Sequence, residues 1–151
     1  MRISKEELKT SIEKTLKNLQ KKNVDVALLS QEKLCEILSN EAFYDLQEAK
    51  IYKERQFLVS LPVNETYRKE DGLTGEEMIF QGAIDLLALR EDSVHIIDYK
   101  YSIKDAEALK KRYKAQLDLY RMATSKILGI DKSRIRCTIV NIYRGFQVDL
   151  E

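Results

Sequence analysis

Proline and glycine are scarce in this 151-residue chain, which has a single proline, Pro62, and five glycines. A Gly/Ser-rich linker or a low-complexity tract needs more of both, so one compact domain is expected, spanning 1–151. Cysteine is equally rare. Cys35 and Cys137 show no paired spacing, which argues against a zinc site or a disulfide framework and leaves two buried free thiols as the expectation. No apolar run approaches the roughly 18 residues needed to cross a bilayer. The charged stretch from Arg2 to Lys9 is not followed by the apolar core of a secretion signal, so a soluble, cytoplasmic chain without a membrane partner is expected. An excess of one charge is missing too: 26 basic residues nearly balance 25 acidic ones. Any contact with nucleic acid must then come from local patches or from a partner. No Gly-x-x-x-x-Gly-Lys-Ser/Thr segment occurs, so these residues carry no nucleotide-driven motor.

What is present is a 44% hydrophobic chain, enough for a real core. Leu8, Ile12, Leu16 and Leu19 recur at helical spacing between Lys5 and Asn23, predicting an amphipathic helix with a thin apolar stripe. A second helix is expected from Ser30, as cap, to about Lys50, burying Leu34, Ile37, Leu38 and Phe43. Strand-like sequence runs from Ile51 to Pro62, followed by a loop from Asn64 to Glu76 in which Asp71-Gly72 marks a turn. Two more apolar runs, Met78 to Leu89 and Val94 to Tyr101, read as strands. Leu109, Tyr113, Leu117, Tyr120 and Ile127 then define a long helix from about Asp105 to Leu128, stopped by Gly129. A last strand is expected from Ile135 to Val148. This order predicts an α/β domain, helical over 1–50 and with its sheet and catalytic core over 51–151.

The chemistry is concentrated in Gly82-Ala83-Ile84-Asp85 and Ile96-Ile97-Asp98-Tyr99-Lys100. Both runs set an aspartate into an apolar strand, where a carboxylate needs a partner or a metal. A hairpin turning at Glu91-Asp92, or over Arg90 to Ser93, sets Leu89 opposite Val94 and by continuation Asp85 opposite Asp98. Directly opposed side chains have Cβ atoms about 4.5 to 5.5 Å apart, and Lys100 shares the face of Asp98. Two carboxylates so close repel each other unless a divalent cation or the lysine compensates them. Oxygen ligands suit a hard ion, Mg2+ or Mn2+. Such an ion can polarise a phosphoryl oxygen while the lysine offsets developing charge, a pattern suited to phosphodiester hydrolysis. An ordinary Asp98–Lys100 ion pair with no catalytic meaning is the competing reading.

Four ordered motifs decide between these readings: Lys53-Glu54-Arg55-Gln56-Phe57, Gly82-Ala83-Ile84-Asp85, Ile97-Asp98-Tyr99-Lys100, and Tyr113-Lys114-Ala115-Gln116-Leu117-Asp118-Leu119-Tyr120. Together they resemble the PD-(D/E)xK nuclease superfamily, in particular RecB-type nuclease domains and most closely the C-terminal domain of AddA-type helicase-nuclease subunits. The resemblance implies a restriction-endonuclease-like core, a mixed central sheet flanked by helices. It makes Asp85, Asp98 and the Tyr99 backbone carbonyl metal ligands and Lys100 the catalytic lysine, with Glu54 at the edge of the centre. Gln116 and Tyr120 match the Gln-x-x-x-Tyr signature, and Gly82 is carried as structural.

The implied activity is a Mg-dependent DNA exonuclease acting in double-strand-break processing and recombination. Its implied partners are DNA, a helicase portion of the same chain and an AddB-like subunit. Two cysteines cannot replace the four that hold an iron-sulfur cluster in some RecB-like nucleases, so none is expected. Two departures stand out. The family supplies a histidine ligand from an N-terminal helix, whereas the one histidine here, His95, lies three residues from Asp98 and so leaves the opposite face of the strand. Either the chain is a C-terminal fragment of a larger helicase-nuclease, or it uses another ligand. Tyr101 stands where a small hydroxyl residue usually follows the lysine. A non-catalytic module of the same fold, binding DNA or a partner subunit, is the alternative.

Overall fold

The computed structural model describes residues 4–27, 29–44, 46, 48–66 and 75–151, so the Asp71-Gly72 turn lies outside the described residues. Helix α1, Lys5–Lys21, starts at a capping box in which Ser4 and Glu7 satisfy each other's backbone N–H groups, and it buries Ile12. The expected second helix is two: α2, Gln31–Leu38, and the short α3, Glu41–Tyr44. The break falls at Ser39-Asn40, where the Ser39 hydroxyl donates back to Cys35 O at 2.6 Å and so competes with continuation of the helix. Gln147 Oε1 accepts from Ala42 N–H at 2.9 Å and ties α3 to the far edge of the sheet.

The five strands are β1 (Lys50–Pro62), β2 (Glu77–Leu89), β3 (Val94–Lys100), β4 (Ile135–Asn141) and β5 (Phe146–Leu150), side by side in that order. Only β3 and β4 are parallel, joined by the crossover helix α4, Ala106–Leu128, capped by Asp105 and by left-handed Gly129 (φ 67°). The expected single last strand is instead a hairpin. Its turn at residues 142–145 is held by Gly145 N–H to Asn141 O and by positive-φ Gly145. The apolar run from Ile135 to Val148 conceals that reversal because both strands face the same core.

That core has two layers. On one face of the sheet, Ile84, Leu87, Ile96, Cys137 and Ile139 pack against Leu109, Leu117 and Tyr120 of α4. On the other, Leu86, Ala88, Ile97 and Val140 pack against Ile37 and Ala42. Ile127, expected on the inner stripe of α4, is instead exposed. Both cysteines are buried free thiols, and burial pushes the Cys137 thiol up to about 11.

The two faces reveal an interruption. Tyr52 and Phe57, five residues apart, both contact the α4-side core, as do Ile84 and Leu87, three apart. Strict alternation forbids both. Each strand therefore changes phase between those residues, at the level where β1–β2 pairing skips Glu54 and Asp85 between Lys53↔Leu86 and Arg55↔Ile84. Glu54 carries the irregularity in its backbone, at φ 48°. Beyond it, the ends of β1 and β2 form a two-stranded arm that packs Val59, Leu61 and Phe80 on Ala123 of α4.

Gly82 sits in this arm directly opposite Phe57. A Cβ there would lie 2.9 Å from the Phe57 ring and 3.5 Å from Tyr120, so the ring folds over the glycine. Gly82→Ala is expected to destabilise the fold by about 1–3 kcal/mol through overpacking. A double-mutant cycle with Phe57→Leu, read by urea denaturation, should recover most of that loss. Independent, additive losses would refute the contact.

Candidate active site

The β2–β3 hairpin has the expected register. Arg90 N–H donates to Ser93 O at 2.9 Å, and pairing runs from Leu89↔Val94 to Leu86↔Ile97. There it stops, one step short of Asp85 and Asp98. Instead of a backbone carbonyl, the Asp85 carboxylate receives the next strand's N–H: Tyr99 N donates to Asp85 Oδ2 at 2.8 Å. The two aspartates are thus not the simple cross-face pair that continued register predicts. Asp85 reaches sideways into the gap where the strands part.

Asp98 is 2% exposed and follows Val94 and Ile96 on the α4 side of β3. Lys100 shares that side, with its Nζ 2.5 Å from Asp98 Oδ2. The same ammonium lies 4.5 Å from the centre of the Tyr113 ring, a cation–π contact that holds the lysine between carboxylate and helix. Beyond its ion pair, Asp98 Oδ2 has no hydrogen-bond partner. Burial raises the Asp98 pKa above the ordinary carboxylate value; Lys100 pulls the other way, and the Asp85 charge adds to the rise. Burial, with help from Asp85, also raises the Tyr99 phenol.

Gln116 and Tyr120 lie one turn apart on α4, and the Gln116 amide donates to the Tyr120 hydroxyl at 2.7 Å. The Tyr120 ring meets Phe57 edge-on at 5.7 Å. Through Phe57 and Gly82 this pair is joined to the arm, so residues from three of the four sequence motifs touch one another. Glu54 is brought to the level of Asp85 but is exposed. His95 stands apart on the other side of β3, where its Nε2 lies 2.7 Å from Thr138 Oγ1. Thr138 donates in turn to Asp149 at 2.5 Å. Asp149's partial burial opposes its ionisation, but hydrogen bonds from Arg136 and Thr138 outweigh it and hold the carboxyl low.

Two contributors were given no role at the site by the sequence. Tyr113 reads in sequence as one more apolar stripe residue, and its contact with Lys100 depends on how α4 crosses β3. Asn141 is wholly buried at the end of β4, opposite Lys100. Its Nδ2 donates to Ser102 O at 2.9 Å, and its Oδ1 accepts from Tyr143 N–H at 3.1 Å. It ties the chain just past Lys100 to the β4–β5 turn. A polar residue closing an apolar strand was the available signal.

The donor set is two carboxylates; among the described residues no group of three or more His, Cys, Asp or Glu side chains could hold a metal. Two carboxylates, one of them buried with Lys100 as the partner of its Oδ2, offer the oxygen ligands that suit a hard divalent cation. Such an ion commonly takes one or two protein carboxylates and completes its shell with water and substrate oxygens.

The sheet is thus interrupted, with an aspartate in the gap and Asp-x-Lys on the adjoining strand. Residues 2–150 match the model of the PD-(D/E)XK nuclease superfamily, and the chain belongs to that superfamily. Its relatives include the AddA subunit of the ATP-dependent helicase/nuclease of Carboxydothermus hydrogenoformans, 36% identical over 87 residues, which are 56% of this chain and 7% of the relative. The protein of the same name from Clostridium botulinum (strain Okra) is 33% identical over the same shares. That of Streptococcus sanguinis is 40% identical over 65 residues, 42% of this chain and 5% of the relative. The chain thus matches a small part of the length of these curated relatives.

A raised Asp98 pKa means that the folded state holds this proton more tightly than the unfolded chain does. As pH rises from the ordinary carboxylate value through the raised one, stability is lost, and the loss is complete once pH exceeds the raised value. Asp98→Asn should therefore melt higher than wild type at neutral pH in EDTA, with the gap narrowing as pH falls toward the ordinary carboxylate range. A variant that melts lower across the whole range would contradict this account.

Proposed function

We propose that this domain hydrolyses phosphodiester bonds in DNA with Mg2+ or Mn2+, as the nuclease part of an AddA/RecB-like helicase-nuclease. The observation that carries the reading is the buried Asp98, paired to Lys100 and adjoining the gap that Asp85 enters. A fold seeking stability alone gains little by burying an ion pair, because the desolvation cost offsets the attraction.

In this reading Asp85, Asp98 and the Tyr99 carbonyl hold the cation. The ion would supply Lewis-acid polarisation of the scissile phosphate and activation of a water. Lys100, steadied by the Tyr113 ring, neutralises Asp98 in the free protein; with substrate present it orients the attacking water and offsets charge on the phosphoryl oxygens. Gln116 and Tyr120, hydrogen-bonded to each other on α4, are assigned to the helix side of the centre. Glu54 lies at its rim. The name of the relatives, an ATP-dependent helicase/nuclease subunit, supports a setting beside an ATP-driven helicase; break processing and recombination, with an AddB-like partner, are part of the proposal. A near-neutral domain suits that setting, since a motor and partner would supply most of the DNA affinity. A further ligand from residues upstream in a longer chain would complete the donor set.

A second reading, a module that binds DNA or a partner without cutting, draws on the two-carboxylate donor set. Cleavage of end-labelled linear single-stranded DNA separates the two. With Mg2+ or Mn2+, the chain extended at its N-terminus should cut; Asp98→Ala or Lys100→Ala should slow it on the order of a hundredfold or more, and EDTA should abolish cutting. An extended chain that cuts no faster than its Asp98→Ala variant would sink the nuclease reading. Glu54→Gly tests the rim: glycine tolerates the positive φ, so the melting temperature should hold or rise, and a fall in cleavage would then report the carboxylate itself. Unchanged cleavage would remove Glu54 from the site.

A further inference from the structure

Immediately after Lys100 the chain exposes side chains that a folded core would not leave in water. Tyr101 is 78% exposed and Ile103 79% exposed, and Tyr143, from the β4–β5 turn, is 41% exposed. The two tyrosine rings meet edge-on with centroids 5.1 Å apart. Basic groups surround them. Lys33 Nζ lies 5.0 Å from the centre of the Tyr143 ring, Arg144 donates to Ile103 O at 3.5 Å, and Lys104 is exposed beside Ile103. Acidic side chains are near as well: the Glu36 carboxylate lies against Gly145, Glu32 precedes Lys33 and Asp105 follows Lys104.

The patch is held rigidly. Asn141, a buried amide, fixes both of its loops at once through Ser102, Lys104, Tyr143 and Arg144. Ile142 N–H also donates to Lys100 O at 2.8 Å. Rigid, exposed aromatic rings set among cations lose little entropy on binding a flat, anionic ligand.

We propose that Tyr101 and Tyr143 form a stacking platform for an unpaired nucleobase of the strand entering the site, with Lys33, Lys104 and Arg144 facing its phosphates. This deepens the nuclease reading and rests on it for the identity of the ligand. Charge favours a polyanion, and continuity favours the substrate strand: Tyr101 is the residue after Lys100, and consecutive Cα atoms are about 3.8 Å apart. Lys100 faces α4 whereas the platform meets Lys33 of α2, so a base stacked on Tyr101 belongs to a nucleotide passing round the end of β3 rather than to the one being cut. Duplex ends keep their bases stacked on one another and gain nothing from the platform, so the site favours single strands.

The test is binding of a labelled oligothymidylate, read by fluorescence anisotropy with Ca2+ in place of Mg2+ so that the strand persists. The comparison ligands are the same length of abasic strand and a blunt duplex. Tyr101→Ala should weaken oligothymidylate binding on the order of tenfold, whereas Tyr101→Phe should bind like wild type. Neither change should alter binding of the abasic strand or the duplex. Unchanged affinity of Tyr101→Ala for oligothymidylate would overturn the platform and point to a protein-docking surface. An equal loss on the abasic strand would overturn it as well. A parallel cleavage assay with Mg2+, with binding and cleavage both read on the N-terminally extended chain, separates the two readings. Tyr101-dependent binding without cleavage would leave the platform standing and defeat the nuclease reading, and cleavage with Tyr101-independent binding would do the reverse.

Discussion

The bond from Tyr99 N–H to the Asp85 carboxylate organises this molecule. A backbone N–H inside a sheet must be satisfied, and here a side chain rather than a neighbouring carbonyl does it. That substitution lets β2 leave β3 without orphaning the donor, and the ladder ends beside Asp98. The phase change in β1 and β2, the left-handed Glu54 and the arm on α4 all lie at or beyond this point. Fold and site are thus two descriptions of one interruption.

Around it, the packing leaves the electrostatics unbalanced. Asp98 is buried deeply enough that its ionised form is disfavoured even with Lys100 beside it, while Asp149 on the other face, hydrogen-bonded by Arg136 and Thr138, is held low. The contrast separates a carboxylate that serves the fold from one that burdens it. Lys100 gains a second support in the Tyr113 ring, so the cation is positioned before any ligand arrives.

Much of this was legible in the sequence. The hairpin register followed from turn length and hydrophobic pattern, and the shared side of Asp98 and Lys100 followed from a period of two. The ordered motifs identified the superfamily. What could not be read was the end of the ladder after Leu86↔Ile97, because register arithmetic assumes that pairing continues, and Asp85 defeats it by using its own side chain. The break at Ser39-Asn40 and the reversal after Asn141 were hidden for a related reason: apolar periodicity persists across both, so only local hydrogen bonding reveals them. Tyr113 and Asn141 acquire their roles from helix crossing and parallel pairing, which lie beyond any single segment.

The Asp85–Tyr99 bond has an evolutionary consequence. The architecture asks of Asp85 only one accepting oxygen and asks of Asp98 no charge at all, since a neutral side chain of the same shape suits the interior better. Amide replacements at both positions would leave a folded domain, so descendants that lose the acids can persist and diverge. Within such a lineage, overall likeness in shape does not tell whether the pair of acids is kept.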